Sequence, residues 1–79
     1  MVPREAFGRR IRRLRDALTL TQNELARRAG MSRTYLARVE LGQQSPTLEV
    51  IEKLARALHV KPADLFEDVE RRPRQSPKT

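Results

Sequence analysis

Residues 21–42 run TQNELARRAGMSRTYLARVELG, two helix starts separated by a single glycine turn. Thr21 and Glu24 form a Thr-x-x-Glu capping box, in which the hydroxyl accepts the Glu24 amide while the carboxylate reaches back to the cap. A helix therefore begins at Gln22, with Leu25, Ala26 and Ala29 turned inward. Gly30 supplies the left-handed residue that closes it, and Ser32 is a fresh N-cap two positions later. The next helix starts almost at once and buries Leu36 and Val39. Two helices joined by so few residues pack only if the turn is tight and small residues sit where they touch. Ala26 meets that requirement.

Upstream, Phe7, Ile11, Leu14 and Leu18 recur at offsets of four, three and four, one face of a helix running to about Leu18. Downstream, Gly42 stops the third helix and Gln43 to Pro46 make a short polar loop. Thr47 then caps a fourth helix whose Ile51, Leu54, Ala55 and Leu58 keep the helical period. Pro62 suits the first position of a short fifth helix through Leu65 and Phe66. Residues 67–79 contain Pro73 and Pro77 among Arg, Lys, Gln and Ser, with Val69 as the single aliphatic residue. The expectation is an all-α, compact five-helix bundle over residues 6–66, followed by a charged tail, disordered from about Arg71.

Composition narrows the class further. A chain of 79 residues builds one core, and with Phe7, Phe66 and Tyr35 as the only aromatics that core must be mostly Leu, Ile, Val and Ala. Without cysteine there are no disulfides or thiolate sites, and His59 alone lacks the partners a zinc ion needs. No cofactor or metal is expected. Nor is an enzyme, since there is no cysteine nucleophile, a single histidine and no glycine-rich phosphate loop. The start of the chain has no unbroken apolar stretch, so neither signal peptide nor spanning helix is read, and a cytoplasmic protein without membrane association is expected.

The net charge of +7 is unevenly placed. Residues 1–41 carry ten arginines against four acids, whereas residues 42–66 carry three bases against three acids. One basic half is the electrostatic footprint of a nucleic-acid binder. Leu25, Ala29, Met31, Leu36 and Val39 are also apolar at the five positions where a helix-turn-helix faces its own core.

Taken together, Thr-Gln-Asn-Glu-Leu-Ala, Gly-Met-Ser-Arg-Thr-Tyr-Leu-Ala-Arg-Val-Glu, Gly, Ser-Pro-Thr-Leu and Ile-Glu-Lys-Leu-Ala-Arg-Ala-Leu resemble the five-helix regulators of the phage repressor and Cro type, the XRE family. The Arg-Thr-Tyr-Leu segment and the Ser-Pro-Thr-Leu helix start are similar to the controller proteins of restriction–modification systems. The resemblance covers roughly residues 6 to 66. It implies a lambda-repressor-like DNA-binding domain and a transcriptional regulator, a repressor by type, that binds a pseudo-palindromic double-stranded operator as a homodimer on the nucleoid. In such a complex the third helix lies in the major groove and the N-terminus of the second abuts the phosphates.

At about 100° per residue from Leu36 and Val39, Thr34, Ala37 and Arg38 point away from the core and Arg33 lies at the flank. These four are the expected base-contacting residues, with Arg33 and Arg38 able to bond guanine O6 and N7 bidentately. By the resemblance, Gln22 bonds a phosphate at a helix N-terminus. Ser32, Tyr35, Gln43 and Gln44 are further phosphate candidates, as are Arg9, Arg10 and Arg13 of the first helix. Arg15 and Glu40 stand where the family forms a partly buried, structural ion pair. Two departures are visible: Leu41 replaces a commonly polar or basic residue, and the loop Gln43-Gln44-Ser45 has no base.

Val60, Leu65 and Phe66 exceed what so small a core requires and are expected at a dimer interface. An alternative from another class is an antitoxin-like interaction module whose tail, residues 67–79, folds onto a partner protein.

Overall fold

A small number of side-chain caps and turn residues cuts the chain into helices. The computed structural model describes residues 3–66 as α1 (Arg4–Ala17), α2 (Gln22–Ala29), α3 (Arg33–Glu40), α4 (Leu48–Ala57) and a closing 3-10 helix (Pro62–Phe66), with no strand among the described residues. The expected fifth helix is thus a 3-10 turn. The tail expectation, residues 67–79, lies outside the described residues, and with it the tail-borne partner.

The N-caps fall where the sequence put them. Thr21 Oγ1 accepts from the Glu24 amide at 3.0 Å and Glu24 Oε1 from the Thr21 amide at 2.8 Å, completing the capping box. Ser32 Oγ accepts from the Tyr35 amide at 3.0 Å, and Thr47 Oγ1 from the Val50 amide at 3.2 Å. By contrast, α1 begins at Arg4, three residues before the periodicity of Phe7 becomes visible. Pro3, with φ −64°, presets the entry, and the Phe7 amide bonds its carbonyl at 3.0 Å.

All four α-helices end in the same way, on a left-handed residue followed by a backbone bond from five residues on. The bonds are Leu20 N to Arg15 O, Met31 N to Ala26 O, Gln43 N to Arg38 O and Val60 N to Ala55 O, at 3.1, 2.9, 2.8 and 3.0 Å. Gly30 and Gly42 fill two of the left-handed positions, but Thr19 at φ 54° and His59 at φ 60° fill the others. Nothing in their residue type announced that role.

Phe7, Ile11, Leu25, Leu36, Val39, Leu54 and Leu65 form the centre of the core. α1 packs on α3 and on the 3-10 helix, while α2 packs on both α3 and α4. Phe7 and Phe66 stack at 5.4 Å between centroids, tilted by 38°, tying the end of the described chain to α1. Gly8 is a contact glycine: a Cβ there would lie 2.5 Å from the Glu40 carbonyl oxygen and closer still to that of Val39. The backbone of α1 therefore meets the end of α3 directly. Among the described residues no helix is long and apolar enough to cross a membrane.

Candidate nucleic-acid interface

The short connection Gly30-Met31-Ser32 places the N-termini of α2 and α3 on one side of the molecule, with Gln22 and Arg33 as the first residues of the two helices. Leu36 and Val39 are fully buried, so the opposite face of α3 is turned to solvent. Arg33, Thr34 and Arg38 are exposed there and Ala37 is half-buried. The two arginines stand five residues apart on one helix, roughly 7.5 Å along its axis, which is about two base-pair steps of a duplex.

Gln22 is placed differently from a free phosphate ligand. Its Nε2 donates to Glu40 Oε1 at 3.0 Å and its Oε1 accepts from Arg33 Nη1 at 3.3 Å. One amide hydrogen remains for a phosphate. Ser32 is exposed and its oxygen caps α3, leaving the hydroxyl hydrogen to donate outward. Tyr35 and Gln44 are half-buried and Gln43 is exposed, all on or just beyond α3. On α1, Arg9 and Arg13 are exposed. Arg10, expected at a phosphate, donates its Nε to the Asp64 carbonyl oxygen at 3.0 Å, tying α1 to the 3-10 helix.

Arg15 and Glu40 form the expected ion pair, with Nε to Oε2 at 2.7 Å and Nη2 to Oε1 at 3.1 Å. Their side chains are 12% and 3% exposed. Arg15 Nη1 also donates to the Leu20 carbonyl at 2.9 Å, which pins the α1–α2 turn. The bond to Glu40 raises the Arg15 pKa further above its ordinary value, outweighing the opposing effect of burial. At the start of α2, the Glu24 carboxyl is held below the ordinary carboxylate range by its hydrogen bonds from Thr21.

The dimer expectation needs one correction. Leu65 is 0% exposed and completes the protomer's own core, because the 3-10 helix turns it inward under α1 and α4. Val60 and Phe66 are half-buried. The sequence did not single out Leu48, which is 71% exposed at the first turn of α4 although it lies on the helical period of Ile51. Nor did it connect Gln22 to Glu40, since the two stand eighteen positions apart and no local pattern joins them.

A family model described as helix-turn-helix matches residues 11–65. Control protein C.BamHI of Bacillus amyloliquefaciens is 36% identical over 62 residues, covering 77% of this chain and 76% of that protein. The cryptic phage CTXphi transcriptional repressor RstR of Vibrio cholerae is 46% identical over 65 residues, 81% of this chain, which spans only 58% of the repressor. Among solved structures, the restriction-modification controller protein C.AhdI from Aeromonas hydrophila superimposes with a TM-score of 0.77 at 45% identity, over 78% of this chain and 94% of that one.

Proposed function

This chain belongs to the helix-turn-helix family whose model spans residues 11–65, and from that premise we propose that it acts on its operator as a homodimer, each protomer setting α3 into the major groove of one half-site. It is a DNA-binding transcriptional regulator. The observation that carries the finer reading is the division of α3: Leu36 and Val39 are wholly buried while Arg33, Thr34 and Arg38 face solvent beside the capped start of α2.

In this reading residues 6–66 are the DNA-binding unit. Arg33 and Arg38 read guanine, Thr34 bonds a base edge or touches a thymine methyl, and Ala37 touches a methyl. Gln22, Ser32, Tyr35, Gln43, Gln44, Arg9 and Arg13 hold phosphates and so fix register without reading sequence. One recognition helix covers only a few base pairs, so useful specificity needs two half-sites about 34 Å apart, one turn of the duplex. Val60 and Phe66, with the exposed Leu48, supply the apolar surface that a second protomer covers.

Selection of bound sequences from random duplex DNA tests this, followed by salt titrations of wild type, Arg38→Ala and Arg9→Ala. The expected result is a two-fold-related motif containing guanine. Arg38→Ala relaxes preference at one position by about 1–3 kcal/mol. Arg9→Ala weakens every duplex alike and lowers the salt slope by about one. Binding that is steeply salt-dependent and enriches no sequence would sink the operator reading.

A further inference from the structure

Glu5 sets a negative charge against the far end of α3. A Cβ at Gly42 would lie 2.8 Å from Glu5 Cγ and 2.9 Å from its Cα, so the first turn of α1 is seated on the residue that follows α3 and its cap. Gly42 is buried in a left-handed conformation at φ 77°, and the next amide, that of Gln43, bonds the Arg38 carbonyl at 2.8 Å. The seat is therefore held by backbone on both sides. Glu5 itself is exposed, and no ion pair or side-chain hydrogen bond joins it to another described residue. Arg9 stands one turn further along α1, at a spacing that allows an ion pair, and forms none with it.

The turn beside that charge carries no base of its own. Gln43, Gln44 and Ser45 are neutral, Leu41 is 64% exposed, and the C-terminal end of α3 is the negative end of its dipole. Arg33 and the capped start of α3 lie at the other end, about 12 Å away along the eight residues of the helix. We propose that Glu5 is a specificity-determining residue that acts by repulsion, loosening the grip on the phosphate strand that passes the α3–α4 turn and so lowering the sequence-independent part of the affinity. The proposal rests on the reading of α3 as the helix that lies in the groove. Phosphate attraction holds any duplex, whereas the base contacts are made from Arg33 and Arg38. An unpaired carboxylate beside the turn subtracts from the first and leaves the second in place. As an acid in the first turn Glu5 also suits the dipole of α1, a role that bears on folding and would leave DNA affinity unchanged.

The test measures affinities for the selected operator and for operators in which one phosphate at a time is replaced by an uncharged methylphosphonate. The proteins compared are wild type, Glu5→Gln, Glu5→Lys and Glu52→Gln, each checked for folding by circular dichroism. Glu52→Gln makes the same change of net charge at an exposed site on α4. A unit charge about 8 Å from a phosphate in a water-like medium changes binding by about two- to five-fold, so Glu5→Gln is expected to bind the operator tighter by that factor at low salt. Glu5→Lys binds tighter again, and both gains shrink as salt is raised. Glu52→Gln binds as wild type. At the phosphates that pass the turn, methylphosphonate leaves wild-type binding unchanged or strengthens it and weakens Glu5→Lys. At all other phosphates the four proteins respond alike.

Equal affinities of Glu5→Gln and wild type overturn the repulsion and leave Glu5 with its part in folding. Weaker binding by Glu5→Gln overturns it as well, since Glu5 would then be a contact to DNA. A gain that is matched by Glu52→Gln and spread evenly over every phosphate reduces the effect to net charge and removes any role for the seat on Gly42. Failure of the underlying reading looks different, because wild type itself then shows no preferred sequence.

Discussion

Replacing Gly8 by alanine separates two effects of opposite sign. In an ordinary helix interior the change removes a glycine and stabilises by about 1 kcal/mol. Here the new Cβ would stand 2.5 Å from the Glu40 carbonyl oxygen and 2.8 Å from its carbonyl carbon, both backbone atoms that cannot rotate away. Ordinary carbon contacts begin near about 3.5 Å, so α1 must retreat from α3 by close to 1 Å. Arg15, roughly 10 Å further along α1, is held to Glu40 by bonds of 2.7 and 3.1 Å that the same retreat stretches.

Overpacking of this kind costs about 1–3 kcal/mol, and the strained ion pair adds to it. Offsetting the propensity gain, Gly8→Ala is expected to lose about 1–2 kcal/mol net, which for a domain of this size lowers Tm by on the order of 10 °C. Urea and thermal unfolding followed by far-ultraviolet circular dichroism measures it. Arg9→Gly, one residue along on the exposed face, calibrates the propensity effect and should lose about 1 kcal/mol. A Gly8→Ala protein more stable than wild type would refute the close approach of α1 to α3.

Arg15→Met leaves the buried Glu40 carboxylate without its ion partner and should cost about 3–5 kcal/mol, with Arg15→Met/Glu40→Leu recovering most of it in chemical denaturation. Thr21→Ala removes one half of the capping box and should lower stability by about 1 kcal/mol, read from the urea midpoint. Because the Glu24 carboxyl titrates below its ordinary value in the folded chain, its contribution is complete above that value and disappears as pH falls through the depressed one. Glu24→Gln should accordingly flatten the acid limb of a Tm-against-pH curve, and an unchanged limb would exclude the effect. Thr19→Gly and His59→Gly should each stabilise by about 0.5–1 kcal/mol, since both residues hold a left-handed backbone at φ 54° and 60°. A loss at either site in thermal unfolding would count against that conformation.

Much of this molecule is legible locally. The capping box of Thr21 and Glu24, the caps Ser32 and Thr47 and the turn glycines Gly30 and Gly42 act within four or five residues of themselves, so their meaning can be read from spacing. The solvent face of α3 follows in the same way, because burying Leu36 and Val39 fixes where Arg38 points. Leu65 was misjudged, and the bond of Arg10 was missed, for the opposite reason. Arg10 is one of several arginines on α1, and only the return of the 3-10 helix, 54 positions later, gives its Nε a carbonyl to bond. Leu65 looked surplus to a core whose volume cannot be counted until the helices are packed.

An all-helical chain, the caps and breaks of its helices, its basic half and the side chains that α3 turns to solvent all follow from local pattern, since propensity, periodicity and charge are properties of neighbours. Tertiary structure alone decided that Gly8 is a contact point between α1 and α3, that Thr19 and His59 take the left-handed turns, and that Gln22 stands between Glu40 and Arg33. Each of those depends on groups brought together from distant positions or on where a helix must stop to let the next one pack. Such distances are set only when the core closes, because a hydrogen bond or a steric contact acts over a few ångströms of space and takes no account of separation along the chain.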